Sequence, residues 1–102
     1  MKIFQGDQYT IPFTVMRDGA AQTDTEIEKL EIIFAGIRKT YPGDIIYRNG
    51  EWFFPLLQEE SLELSDGGYD VSARPYYTDG TVSGWIKAGT VTVTEIEGAE
   101  LL

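Results

Sequence analysis

The side chains best suited to chemistry in this sequence are carboxylates. Seventeen Asp and Glu residues are spread over 102 positions, and they gather most densely at Glu59, Glu60, Glu63 and Asp66. Glu28 with Glu31, and Glu95 with Glu97, form close pairs. Two carboxylates facing each other across a cleft could act as the acid and base of a glycoside hydrolase, and a cluster of oxygen ligands could hold Ca²⁺ or Mg²⁺. Neither pattern is completed. The run "DGGYD" at 66–70 lacks the ligand spacing of a calcium loop, and nothing places a carboxylate pair in a cleft. Cysteine and histidine are both absent. That excludes disulfides, thiolate and imidazole zinc sites, and Ser-His-Asp or Cys-His nucleophile systems. No phosphate-cradling Gly-Lys-Ser/Thr run occurs. The expectation is a protein without catalysis, metal or cofactor.

The charge balance narrows the partners. Eight basic residues against seventeen acidic ones give a net charge of −9, which repels phosphate backbones and anionic membrane surfaces. Nucleic acid and membrane are therefore not expected partners. No apolar run approaches the roughly 20 residues of a membrane-spanning helix. The opening "MKIFQGDQYT" has no signal-peptide core, so the chain is expected to be made in the cytoplasm.

What remains is recognition. Aromatic and arginine residues concentrate in two stretches, "DIIYRNGEWFF" and "GGYDVSARPYYTDGTVSGW". Asn49-Gly50 favours a two-residue hairpin turn, which sets Arg48 opposite Glu51, Tyr47 opposite Trp52 and Ile46 opposite Phe53. Ile45, Tyr47, Trp52, Phe54 and Leu56 then share one face, and Ile46, Phe53 and Leu57 share the other. Both faces are apolar, so the hairpin is either central or covered by another chain. The same register applied to Asp79-Gly80 pairs Tyr77 with Val82, Tyr76 with Ser83, Arg74 with Trp85 and Ala73 with Ile86. Tyr69, Val71, Ala73, Tyr77, Val82 and Ile86 are then core. Arg74, Tyr76 and Trp85 form an outer patch, with Arg74 over the Trp85 ring. Trp, Tyr and Arg are the residue types enriched at binding hot spots. The candidate interaction surface is Tyr47, Trp52 and Phe53 from one hairpin, and Arg74, Tyr76 and Trp85 from the other. Its alternative use is a carbohydrate-stacking platform on Trp85 and Tyr76.

The elements that position these residues are strands. In "YTIPFTV", Tyr9, Ile11, Phe13 and Val15 alternate with Thr10, Pro12 and Thr14, and Pro12 marks an edge strand or a break. "KIF" at 2–4 reads as a short piece of that same edge. Residues 25–37 carry both a helical spacing (Ile27, Leu30, Phe34, Ile37, with Thr25 and Glu28 as a capping box) and an alternation of Leu30, Ile32 and Phe34. Their β-branched and aromatic content favours a turn over 24–28 followed by a strand. A short helical turn is predicted near 59–64, and a bulge at Gly89, where the inward parity slips. Asp18-Gly19, Asn49-Gly50 and Asp79-Gly80 each predict a tight hairpin turn. These elements predict an all-β antiparallel β-sandwich of about seven to eight strands. Residues 1–97 form one domain in this reading, and 98–102 form a frayed tail.

"SDGGYDV" is similar to the run at the E–F corner of immunoglobulin domains. The similarity implies that the sandwich is immunoglobulin-like and that Tyr69 is a corner tyrosine whose hydroxyl bonds to upstream backbone. The chain as a whole resembles small Ig-like proteins of phages and prophages of Gram-positive bacteria, and is similar to the N-terminal domain of phage baseplate upper proteins. The likeness lies in the order of elements and in Lys39-x-Tyr41, Leu57-Gln58-x-x-Ser61 and Gly68-Tyr69…Arg74. It implies a non-enzymatic structural or assembly role in a tail or baseplate. The implied partners are other tail proteins or a second copy, in a virion component made in the bacterial cytoplasm. A stand-alone accessory piece of the tail is the more modest form of that expectation.

Overall fold

The computed structural model describes residues 1–100. Ten strands and one short helix follow in chain order. They are β1 (Lys2–Phe4), β2 (Tyr9–Phe13), β3 (Met16–Arg17), β4 (Ala20–Ala21), β5 (Ile27–Phe34), β6 (Ile37–Tyr41), β7 (Ile46–Arg48), β8 (Glu51–Leu56), α1 (Gln58–Leu62), β9 (Gly67–Tyr77) and β10 (Ile86–Thr94). The all-β expectation holds. The strands outnumber the expected seven to eight because β1, β3, β4 and β7 are pieces of two or three residues. Residues 101 and 102 of the expected frayed tail lie outside the described residues. At the described part of that tail, the Ala99 amide donates to the Ile96 carbonyl at 3.2 Å.

One sheet has the order β1-β10-β9-β5-β6, a second has β2-β8-β7, and β3 with β4 forms a separate ribbon. The inner faces of the two larger sheets share one core, in which Ile11, Phe54 and Leu56 meet Ile32, Phe34, Val71 and Val91. Phe34 and Phe54 touch edge to face across it, with ring centres 5.8 Å apart. Alternation accounts for this arrangement. Leu30, Ile32 and Phe34 of β5 are buried, while Glu31 and Ile33 face outward and are partly exposed. Residues 24–26 form the turn before β5, whose strand character is thereby settled. Pro12 lies on β2, an edge of the three-stranded sheet, where its missing donor costs no ladder bond.

"KIF" does not extend that edge. β1 pairs in parallel with β10 at the far edge of the five-stranded sheet, Ile3 opposite Val93, and the chain then crosses to the other sheet. The sheet is therefore mixed rather than purely antiparallel. The crossing is held by α1. The Ser61 hydroxyl, fully buried, donates to the Asp7 carbonyl at 2.7 Å and accepts from the Gly6 amide at 3.0 Å. Gln58 donates to the Gly6 carbonyl at 2.9 Å, and Gln5 donates to the Leu62 carbonyl at 3.0 Å. Backbone groups that leave both sheets here are thus satisfied by side chains.

The three turn dipeptides do not behave alike. Asp18-Gly19 and Asn49-Gly50 both take positive φ at two successive positions (52° and 79°, 51° and 81°), as a two-residue hairpin requires. At Asp79-Gly80 only Gly80 does, at 89°. The Asp79 carboxylate instead accepts from the Thr81 amide at 2.8 Å and from Arg17 at 3.2 Å. This side-chain turn lengthens the loop by one residue. The Tyr77 amide donates to the Thr81 carbonyl, and Tyr76 faces Val82. Val82, expected in the core, is consequently 58% exposed. An extra residue within 83–85 restores the expected pairing of Ala73 with Ile86. The predicted irregularity near Gly89 is present, with Lys87 opposite Ser72 and Gly89 opposite Val71.

Candidate interaction surface

The six candidate residues go to three different places. The hairpin register is as read, with Arg48 opposite Glu51, Tyr47 opposite Trp52 and Ile46 opposite Phe53. Trp52, however, is only 2% exposed and cannot be a contact residue. Its ring is enclosed by Tyr41, Tyr47 and Phe13, with centres 4.9, 4.5 and 6.4 Å away, and its indole N–H donates to the Gln22 carbonyl at 2.9 Å. A buried Trp with its one donor satisfied is a core anchor. Tyr47 packs against it and keeps part of its ring in solvent. Phe53 faces the outer side of the three-stranded sheet, half-buried, with the Arg48 guanidinium 5.3 Å from its ring centre.

Arg74, Tyr76 and Trp85 do come together, on the outer face of the five-stranded sheet. Arg74 and Tyr76 alternate outward from β9 between the buried Ala73, Pro75 and Tyr77. Trp85 precedes β10, in the irregular stretch that follows the Val82 bridge. The Arg74 guanidinium lies over the Trp85 ring at 5.3 Å, as the cross-strand reading expects. Arg38 adds a second guanidinium over the same ring at 5.7 Å. Glu31, between the two arginines on β5, accepts a hydrogen bond from each. The Arg74 hydrogen bond is the main cause that holds the Glu31 carboxyl below its ordinary range; burial opposes it, and the Arg74 charge and Arg38 add to the lowering. Trp85 and Tyr76 remain 42% and 38% exposed. Beside them runs a groove of about 550 Å³, walled by Tyr41, Pro42, Tyr76 and Val82, with Lys29 and Arg74 among its polar groups.

Arg38, Glu31, Tyr41 and Val82 were not among the expected surface residues. Arg38 follows a hairpin turn at Ala35-Gly36, with φ of 50° and 80°, that places it opposite Ile33. An Ala at positive φ gives no turn signal, so β6 has no clear start in the sequence. The outward alternation of Glu31 and Ile33 is the one signal that points to this face.

Two members of the acidic cluster do structural work, and Glu59 and Glu63 are exposed. Glu60 accepts from Lys39 at 2.8 Å and from the Leu57 amide at 2.8 Å, while the Asp66 carboxylate accepts from the Glu95 amide. Among the described residues no group of three or more His, Cys, Asp or Glu side chains is placed to hold a metal ion. No helix among them is long and apolar enough to cross a membrane. Set against known proteins, the chain matches no family model, no curated protein and no solved structure.

Proposed function

We propose that the protein is a non-enzymatic, immunoglobulin-like structural module of a phage tail or baseplate, acting through protein–protein contacts. The observation that carries the contact role is the Arg38–Glu31–Arg74 bridge beneath the exposed Trp85, with Tyr76 and a groove beside it. Ion-paired arginines over an indole form a rigid, partly desolvated platform of the residue types that dominate protein interfaces. Two guanidinium groups over the Trp85 ring favour protein contact over sugar stacking on that ring.

The Ig-like reading rests on two features. The Tyr69 hydroxyl donates to the Ser65 carbonyl at 2.9 Å, the contact of a corner tyrosine. The first strand pairs in parallel with the last before the chain changes sheets. The tail reading rests on the resemblance, and each motif that carries it has a fold-forming role: Lys39 to Glu60, Ser61 to the 6–7 crossing, Tyr69 to Ser65. Contact through a sheet face also suits the edges. Pro12 leaves the edge strand β2 without one backbone donor, Lys39 points inward from β6, and β1 and β7 are three residues long, all devices that discourage strand addition.

Co-expression with the products of the genes on either side tests the proposal. The expected result is a stable complex that Trp85→Ala or Arg74→Ala weakens. Unchanged capture by both variants removes this surface. A tryptophan fluorescence shift with cell-wall polysaccharide at millimolar sugar, without such a complex, establishes the carbohydrate reading instead.

A further inference from the structure

We infer that the groove beside Arg74 takes an acidic partner segment in extended form, with an apolar side chain in the groove and a neighbouring carboxylate on Arg74 and Lys29. This inference rests on the docking role proposed above and names the chemistry of the occupant.

The first argument is charge. The protein carries a net −9, yet five of its eight basic residues, Lys2, Lys29, Arg38, Arg74 and Lys87, lie on this one sheet face. The carboxylates opposing them there are Glu31 and Asp70. The face is thus positive on a molecule that is otherwise strongly negative, and a segment with carboxylates is drawn to it rather than elsewhere. A polyphosphate chain is disfavoured, because its charge extends beyond the patch onto the acidic remainder. Two copies meeting face to face would set like charges together.

The second argument is shape. The groove is bounded by Pro42 beyond β6, and by Tyr76 and Val82 across β9. At roughly 4.8 Å between strands, that span is about 14 Å, the length of about four extended residues. A volume of about 550 Å³ lies within the range of ligand-sized pockets. Its tyrosine and proline walls offer apolar contact at little entropic cost.

The third argument is unused donor capacity. A guanidinium has five N–H donors, and Glu31 accepts one bond from each of Arg38 and Arg74. Glu31 therefore holds the two arginines in place and leaves donors for a second carboxylate. It also competes with that carboxylate, which gives the inference a distinctive consequence: Glu31→Gln should bind the acidic segment more tightly.

A displayed library of random ten-residue peptides selected on the immobilised protein provides the test, with winners resynthesised for fluorescence anisotropy. The expected winners carry Asp or Glu within two positions of Leu, Ile, Phe or Trp. They bind Arg74→Gln about tenfold more weakly and Glu31→Gln about threefold more tightly. Circular dichroism spectra matching the parent protein, with a cooperative urea transition, confirm that both variants fold. Winners without carboxylates, or binding indifferent to Arg74→Gln, overturn the acidic preference. If such winners still require Trp85 and Tyr76, the docking face stands and only the ligand chemistry fails. Winners indifferent to Trp85→Ala and Tyr76→Ala as well, or no enrichment at all, defeat both. A dimer that Arg74→Gln abolishes makes a second copy the occupant and overturns the segment.

Discussion

Lys39 Nζ and Glu60 Oε1 lie 2.8 Å apart, tying the edge strand of the five-stranded sheet to the helical turn that follows the other sheet. Lys39 alternates inward from β6, opposite Ile32, where an apolar residue is the ordinary choice. Its ammonium also donates to the Pro55 carbonyl and sits 5.0 Å from the Phe54 ring centre. The Lys39 side chain is 10% exposed and that of Glu60 is 21% exposed. The pair is thus largely desolvated, and its worth lies in satisfying two buried charges at a seam between sheets.

Removing both partners should therefore cost less than the two single removals added together. Glu60→Gln leaves the Lys39 ammonium short of its counter-charge and should destabilise the fold by about 2–3 kcal/mol, somewhat below a fully buried pair. Lys39→Met combined with Glu60→Gln should cost less than the sum of the single changes. Urea denaturation of the three variants checks this, and additive costs would mean that the two side chains do not interact.

Ser61 offers a second measurement on the same turn. Its hydroxyl bridges the Gly6 amide and the Asp7 carbonyl with no exposure to solvent. Ser61→Ala leaves both backbone groups unpaired, which costs about 1–3 kcal/mol. Hydrogen exchange at Gly6 should accelerate far more than exchange in β9. Equal acceleration everywhere would point to global loosening instead.

Much of this fold was legible because turn chemistry and alternation agree along most of the chain. Asn49-Gly50 set the register of β7 and β8, and the parity of Leu30, Ile32 and Phe34 set the inner face of β5. The failures have specific competitors. Asp79 spends its carboxylate on the Thr81 amide and on Arg17, so its turn gains a residue and Val82 swings outward. Residues 2–4 pair with a strand about ninety positions away, which no local pattern can announce. Trp52 and Trp85 illustrate the same limit at the candidate surface. Both are aromatic hairpin residues, but only long-range packing decides which one is enclosed.

The two tryptophans should accordingly respond in opposite ways to truncation. Trp52→Ala removes a fully packed ring and the bond to Gln22, and should cost about 3–5 kcal/mol. Trp85→Ala loses only exposed guanidinium contacts and should stay within about 1 kcal/mol of the parent protein. Acrylamide should quench Trp85 readily and Trp52 poorly. Equal quenching of the two single-tryptophan variants would contradict their placement.

Stability should form a broad plateau against pH, with a step at each end. The sequence contains no His or Cys, so no side chain ordinarily titrates between about pH 5 and 9. On the acid side, Glu31, Glu26 and Asp79 all sit below their ordinary values. The leading causes are the hydrogen bond from Arg74 for Glu31, from Thr23 for Glu26 and from Thr81 for Asp79. A carboxyl whose folded value is depressed stabilises fully above its unfolded value, and that contribution is lost as pH falls through the folded one. The urea midpoint should therefore hold from neutrality to about pH 5 and decline below it, and Glu31→Gln should make the decline shallower. On the alkaline side, burial raises the Tyr77 and Tyr9 hydroxyls above 10.0. Their contribution is complete below that value and is lost as pH rises through the higher folded one. A midpoint that moves between pH 6 and 8 would contradict this account.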